Sequence, residues 1–445
     1  MDKQETGIGS PPGLPYPSHG SLNEPGFGSR RFLVVADDLT GAADAAVALA
    51  GAKYSAEIFL DPTLAYNTDR VVTAVDLDTR RMPPTEAART IASFFATRQA
   101  GDTLLFKKLD STLRGHVGAE LDALQQAIAP QRTPQQPPAL FIVAPAHPLL
   151  GRAFINGKLE LKDASAEPGG PGRDSPPSNE AVSIRSQLES FGFDCTCLAI
   201  ENLQGSDIQE TAKLVQHAAT GPKPALLCDA RTVDDMRRIV AAALAARTRC
   251  IWVGSGGLAS VLSEFLPGPD LAEIQAYPGK KTSPGSTLFL VGSFSATARR
   301  QIQELSKTTQ VQLLPLTIDE VAGHPEHSAE HLIDKAITNQ QDMAVYIDPK
   351  QSLRPDLSPA YAARMAALIA PRLGQLGALV CCGGDTTRAL FDKLQLTHLQ
   401  AHNTHEPGVT HVYSRHWPQL PILIKAGAFG DAQTLLRLRQ HLEPS

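Results

Sequence analysis

Three short apolar runs end in residues able to do chemistry. The first lies in "FLVVADDLTGAADAAVALA", Phe32 to Ala50, where an apolar run meets Asp37 and Asp38, a Thr-Gly break and an alanine-rich segment carrying Asp44. An aspartate between a strand and a helix is commonly an N-cap. Two aspartates plus Asp44, expected in the first helical turn, exceed what one cap requires. Such a cluster can hold polyol hydroxyls, act as a base or sit near a metal. The second is "TLLFKKLDSTLRGHVGAELDAL", Thr103 to Leu124, where Lys107, Lys108, Leu109 and Asp110 precede Ser111, Thr112, Arg114 and Gly115. Cations beside hydroxyls and a glycine at a strand's carboxyl end suit a carboxylate or phosphate. Arg80, in "VDLDTRRMPPTEA", repeats the pattern after a third run. Asp, Lys and Arg from three strand ends point to a pocket for a small hydroxylated anion, in which Asp38 needs no role beyond a cap.

A second set of residues is glycine-rich. "CIWVGSGGLASVL", Cys250 to Leu262, matches G-x-G-x-x-A through Gly254, Gly256 and Ala259, which brings a dinucleotide fold into consideration. That reading predicts an acidic ribose-binding residue at the end of the next strand, but a helix and a Pro/Gly-rich stretch follow instead. "ALVCCGGDTTRALFDKL", Ala378 to Leu394, is another strand–glycine–helix junction, where backbone N–H groups of Gly383, Gly384 and Thr386 would cradle phosphates. "ILIKAGAFGDAQTLL", Ile422 to Leu436, is a third, with Gly427 and Gly430 allowing close backbone approach and Lys425 either meeting a phosphate or capping the strand. G-x-x-x-x-G-K-[ST] is absent, so a nucleotide site here is not a P-loop. An anion pocket in the first part and a phosphate cradle in the second fit phosphoryl transfer. That chemistry needs a carboxylate at the acceptor hydroxyl, donors around the moving group, and usually Mg²⁺.

The elements that must position these residues follow from the rhythm of the chain. Short β-branched runs alternate with helical patterns almost throughout, which predicts the α/β class: two domains, each with a mainly parallel sheet flanked by helices. Its 445 residues suit two or three domains. The expected organisation is a flexible leader over 1–30, a domain binding a polyhydroxy anion over 31–266, a Pro/Gly-rich linker over 267–286 and a nucleotide-binding domain over 287–445. Irregular stretches at 130–138 and 163–181 read as surface excursions. A net charge of −5 without a basic run argues against nucleic acid, and no apolar stretch approaches the ~20 residues of a membrane span. The N-terminus lacks the apolar region of a secretory signal. The six cysteines fit neither a disulfide scaffold nor zinc spacing. A cytoplasmic location is expected.

Taken in order, "ADDLTGAADAA", "KKLDSTLRGHVGAEL", "APAHPLLGR", "GSGGLA", "VGSFSATARRQI", "CCGGDTTRAL" and "KAGAFGD" resemble the four-carbon acid sugar kinase family. The resemblance spans nearly the whole chain after the leader. It implies an ATP- and Mg²⁺-dependent kinase acting on the terminal hydroxyl of a four-carbon sugar acid. It also implies that Asp37, Arg80, Lys107, Lys108, Leu109 and Asp110 contact the acid, with Asp37 or Asp110 as base and a lysine on the moving phosphoryl group. Ser255, Gly383, Gly384, Asp385, Thr386, Gly427 and Gly430 then fall to ATP, and no metal ligands are assigned. D-threonate is the expected substrate, with D-erythronate and 3-oxo-tetronate as alternatives; His147 and the insertion after Arg152 depart from the family pattern near the acceptor pocket. A homodimer is admitted. A nicotinamide-dependent oxidoreductase built on "GSGGLA" and a non-catalytic sugar-acid sensor stay open as competing readings.

Overall fold

The computed structural model describes residues 31–51, 54–65, 71–98, 103–131, 136–161, 183–266, 285–308, 310–317, 321, 329–348 and 357–442. The leader, linker residues 267–284, the excursion at 163–181 and residues 132–135 of the other excursion lie outside the described residues.

Before residue 266 the described strands are β1 (Phe32–Ala36), β2 (Ala56–Phe59), β3 (Val72–Asp76), β4 (Leu104–Lys108), β5 (Leu140–Ala144), β6 (Arg152–Ile155), β7 (Lys158–Leu161), β8 (Asp194–Leu198), β9 (Pro224–Cys228) and β10 (Cys250–Gly254). After it come β11 (Thr287–Val291), β12 (Val311–Leu316), β13 (Asp342–Ile347), β14 (Ala378–Cys382), β15 (His398–Glu406), β16 (Val409–Ser414) and β17 (Trp417–Lys425). Central runs such as "LFIVA" and "TLFLV" are buried at every position, as strands covered on both faces must be.

Fifteen of these strands form one sheet in the order β12-β13-β11-β14-β17-β16-β15-β2-β3-β1-β4-β10-β5-β9-β8. It contains two parallel blocks, the α/β architecture expected from the alternating runs. Between them β17-β16-β15-β2 pair antiparallel, so the blocks join edge to edge instead of ending in free edges. β2, the β6–β7 hairpin, β15, β16 and the first half of β17 are not among the strands expected from apolar runs. Their sequences explain why: "HLQAHNTHE" of β15 is polar, and it becomes a strand because β2 and β16 supply hydrogen-bond partners.

Three antiparallel steps reverse strand direction between the blocks. In a flat sheet their carboxyl ends would lie on opposite edges. The twist accumulated across so many strands lets these ends meet, with α1 (Leu39–Ala50) packed against β15 and β16 at the junction. This helix begins at Leu39, ahead of the Thr-Gly pair and not after it. Asp38 accepts a hydrogen bond from Gly41 N at 2.8 Å, which draws Thr40 and Gly41 into the first turn. Asp44 therefore lies in the second turn rather than the first, and Gly51, at φ 54°, caps the end of the helix.

Candidate active site

β1 runs between β3 and β4, with Ala36 opposite both Asp76 and Lys108. Asp37, Leu77 and Leu109 thus leave the sheet side by side. The chain after β3 turns back, Arg80 N donating to Asp37 O at 3.1 Å. The Arg80 guanidinium grips Asp37 through Nε and Nη2, both at 2.9 Å, and Asp38 through Nη1 at 2.6 Å and Nη2 at 2.9 Å. Its Nη2 also lies 3.6 Å from Asp110 Oδ1. Burial alone would raise the pKa of Asp37, but the charges of Arg80 and Lys107 and the Arg80 hydrogen bonds hold it below the usual carboxylate range. Asp110 accepts from Thr112 N, Thr112 Oγ1, Arg114 N and Arg114 Nε on one oxygen and from Arg114 Nη2 on the other. Against the same burial, Arg114 and Arg80 place its pKa well below the ordinary value.

The strand alternation separates the two lysines. Lys107 points to one face of the sheet, 2.9 Å from Glu120 Oε2 of α3 (Val117–Ile128), and Thr79 Oγ1 donates to the other Glu120 oxygen. Lys108 points to the face carrying α1, where Gly41 lets it pass, and donates to Leu109 O at 2.8 Å. Leu109 itself is buried and ties β4 to β10 through Gly254 O. Ser255 follows β10 in this first block. Its buried hydroxyl donates to Ala146 O at 2.6 Å and accepts from Gly257 N, capping α8 (Gly256–Glu264). The glycines of "GSGGLA" are close-packed: a Cβ on Gly254 would lie 2.6 Å from Ala144 O and one on Gly257 2.9 Å from Ala146 O. They serve packing, which removes the open face a pyrophosphate would need.

In the second block β14 runs between β11 and β17, so the loops after all three strands adjoin. Gly383, at φ 115°, opens α12 (Gly384–Lys393). Gly292 lies against Thr386 and Gly427 against Ser293, with Cβ positions that would collide at 1.8 and 2.1 Å. Lys425 is buried and donates to Ala426 O at 2.9 Å, so it caps its own strand end. A cleft of about 130 Å³ opens alongside, lined by Val291, Ser293, Arg299, Leu313 and Tyr346.

The two sets of loops touch. Asp38 Oδ2 lies 3.0 Å from the Cβ position of Gly384, Arg81 pairs with Asp385, and Arg388 of α12 reaches the buried Asp76 at 2.8 Å. Asp37, Arg80, Lys108 and Asp110 therefore gather on one side of the seam, and Gly383, Gly384, Asp385, Thr386, Gly427 and Gly430 come from the other block. Lys107 and Ser255 are committed to internal partners, and Asp38 both caps α1 and holds Arg80. The reading of strand ends passed over Asp76, Arg388 and Phe429, whose ring lies 4.8 Å from the Arg152 guanidinium. A signal existed only for Arg388, one helical turn beyond Gly384. Among the described residues, no three His, Cys, Asp or Glu side chains cluster as a metal site, and no helix is long and apolar enough to cross a membrane.

Comparison with known proteins matches both halves. The sugar-binding N-terminal domain family matches residues 32–262, and the nucleotide-binding C-terminal domain family matches residues 288–435. A D-threonate kinase of Cupriavidus necator is 32% identical over 428 residues, covering 93% of this chain and 98% of its own. A D-erythronate kinase of Heliobacterium modesticaldum is 26% identical, covering 90% of this chain and 94% of its own. A solved Haemophilus influenzae protein shares the fold at TM-score 0.66 and 19% identity, covering 93% of this chain and 100% of its own. With both domain families matched in order along its length, the chain belongs to the four-carbon acid sugar kinase family.

Proposed function

We propose that this protein is an ATP-dependent kinase that phosphorylates the 4-hydroxyl of D-threonate, giving D-threonate 4-phosphate. The observation that carries the reading is the seam itself: a carboxylate–arginine cluster on three strand ends faces a glycine-opened helix N-terminus from the other block, with Asp38 against Gly384. D-threonate is favoured by the relative that is 32% identical.

The geometry divides the roles. Each oxygen of Asp37 accepts one hydrogen bond from Arg80, which leaves lone pairs for an acceptor hydroxyl. Asp110 Oδ2 already accepts four, so Asp110 shapes the loop and Asp37 is the better candidate to take the hydroxyl proton. A carboxylate with a lowered pKa is a weak base. That suits phosphoryl transfer, in which little proton abstraction is needed before the phosphorus–oxygen bond forms. Backbone N–H groups of Gly384, Asp385 and Thr386 point from a helix N-terminus toward the nucleotide phosphates, and Tyr346 in the adjoining cleft offers a planar face for the base. Among the described residues no carboxylate cage forms, so Mg²⁺ would be held chiefly by the nucleotide phosphates, with Asp385 in the first turn of α12 as the protein residue placed to hold it. When bound, the ion neutralises phosphate charge.

The test is ADP release with Mg-ATP and each of D-threonate, D-erythronate and 3-oxo-tetronate. Turnover highest on D-threonate is expected. Turnover on none of the three acids would refute the kinase reading, and a preference for another would reassign the substrate.

A further inference from the structure

Arg152 is a buried cation that, among the described residues, has no carboxylate within ion-pair distance. It stands at the start of β6, donates to Ser111 Oγ and lies against the Phe429 ring, and it is only 6% exposed. Lys108, also buried, donates among the described residues only to the carbonyl of its neighbour Leu109. Among the described residues neither has a carboxylate within ion-pair distance; Asp110 acts on Arg152 only from longer range, and Asp44 acts so on both. Beside them His147 is 7% exposed, and its Nδ1 has no hydrogen-bond partner among the described residues. Burial, with Arg152 and Lys108 nearby, pushes the His147 pKa down to about 3, so the ring is neutral and adds no charge. Burying a guanidinium with most of its five donors unused is costly unless something pairs with it. Its planar fork matches the oxygens of a phosphoryl group.

The position of this cluster decides which oxyanion it suits. On one side Arg152 touches Ser111, next to Asp110. On the other it touches Phe429, in the loop that carries Gly427 and Gly430. A group that must be reached from both blocks is the one passing between them; the carboxylate at the far end of a four-carbon acid has no need to meet the nucleotide loop. We propose that Arg152, together with Lys108, clamps the phosphoryl group in transit, and that the Phe429 ring orients the guanidinium. This rests on the kinase reading above. In the step, the bond between the γ-phosphorus and the β–γ bridging oxygen of ATP breaks and a bond to the 4-oxygen of the acid forms. The hydroxyl proton passes to Asp37, ADP departs, and Arg152 exchanges neither bond nor proton.

Arg152→Met and Arg152→Lys in the full chain test this by turnover and by calorimetric affinity for D-threonate and for D-threonate 4-phosphate. For Arg152→Met we expect kcat to fall by about 10²-fold or more. Affinity for the 4-phosphate should fall at least about tenfold while affinity for D-threonate holds, with Arg152→Lys intermediate because it keeps charge without the fork. Equal loss of affinity for both ligands would place the guanidinium on the carboxylate and overturn the proposal, as would unchanged kcat. Should Arg152→Met not fold, Phe429→Leu keeps the charge and removes the ring; it should lower kcat about tenfold with D-threonate affinity unchanged, and unaltered kcat counts against the proposal. If the wild-type protein phosphorylates none of the acids, the kinase reading fails separately. Thermal stabilisation by inorganic phosphate, present in wild type and lost in Arg152→Met, still supports the anion clamp, and its absence in wild type overturns it.

Discussion

Asp76→Asn should flatten the pH dependence of stability. The Asp76 carboxyl is fully buried at the end of β3, facing Arg388 of α12 and, at longer range, Asp78 and Asp38; Arg388 also pairs with Asp392. Burial outweighs the Arg388 charge and raises the pKa from 3.8 to about 7. A carboxyl that holds its proton more tightly when folded stabilises the protein fully below its unfolded pKa, and loses that contribution as pH climbs through the folded one. Between pH 5 and pH 8 the wild type should therefore lose roughly 2.5 kcal/mol from this group, following from the shift at 1.36 kcal/mol per unit. Asn keeps an acceptor for Arg388 and cannot titrate. Urea unfolding at several pH values, followed by the fluorescence of Trp252 in β10 and Trp417 in β17, gives the wild-type minus variant difference curve. A difference that changes by less than about 1 kcal/mol between pH 5 and 8 would refute the reasoning.

Asp37→Asn should lower kcat by about 10²-fold or more while leaving nucleotide affinity intact, and Asp385→Ala should chiefly weaken ATP binding; equal loss of ATP by both, measured by calorimetry, would contradict the division across the seam. Lys107→Met should destabilise by about 3–5 kcal/mol, because Glu120 is left buried and unpaired, and adding Glu120→Gln should recover much of it in denaturant titrations. Ser255→Ala should cost about 1 kcal/mol from the lost helix cap with the KM for ATP unchanged; a raised KM would assign Ser255 to the nucleotide after all.

Much of this was legible in the chain, for a physical reason. Parallel strands buried on both faces must be continuous apolar runs, so β1, β4, β5, β10, β11 and β14 stand out from composition alone. Because ligands of such sheets gather at carboxyl ends, Asp37, Arg80, Lys108 and Asp110 could be singled out before any contact was known. Side-chain direction was not legible to the same degree. Lys107 and Lys108 are neighbours of identical type, and only the packing of α3 on one face and α1 on the other separates a structural ion pair from an open cation.

Residue type and order in the sequence determine the α/β class, the strand-end clusters, the glycine junctions and the order of the two family domains. Tertiary structure decides the rest. The polar strand β15 is recognisable only once β2 and β16 pair with it, and through it the two blocks become one twisted sheet. Asp76 meets Arg388 across 312 positions, and Arg152 meets Phe429 across the same seam. Local propensity acts over a few residues, whereas these contacts depend on how three antiparallel steps and the twist of the sheet bring distant strand ends together.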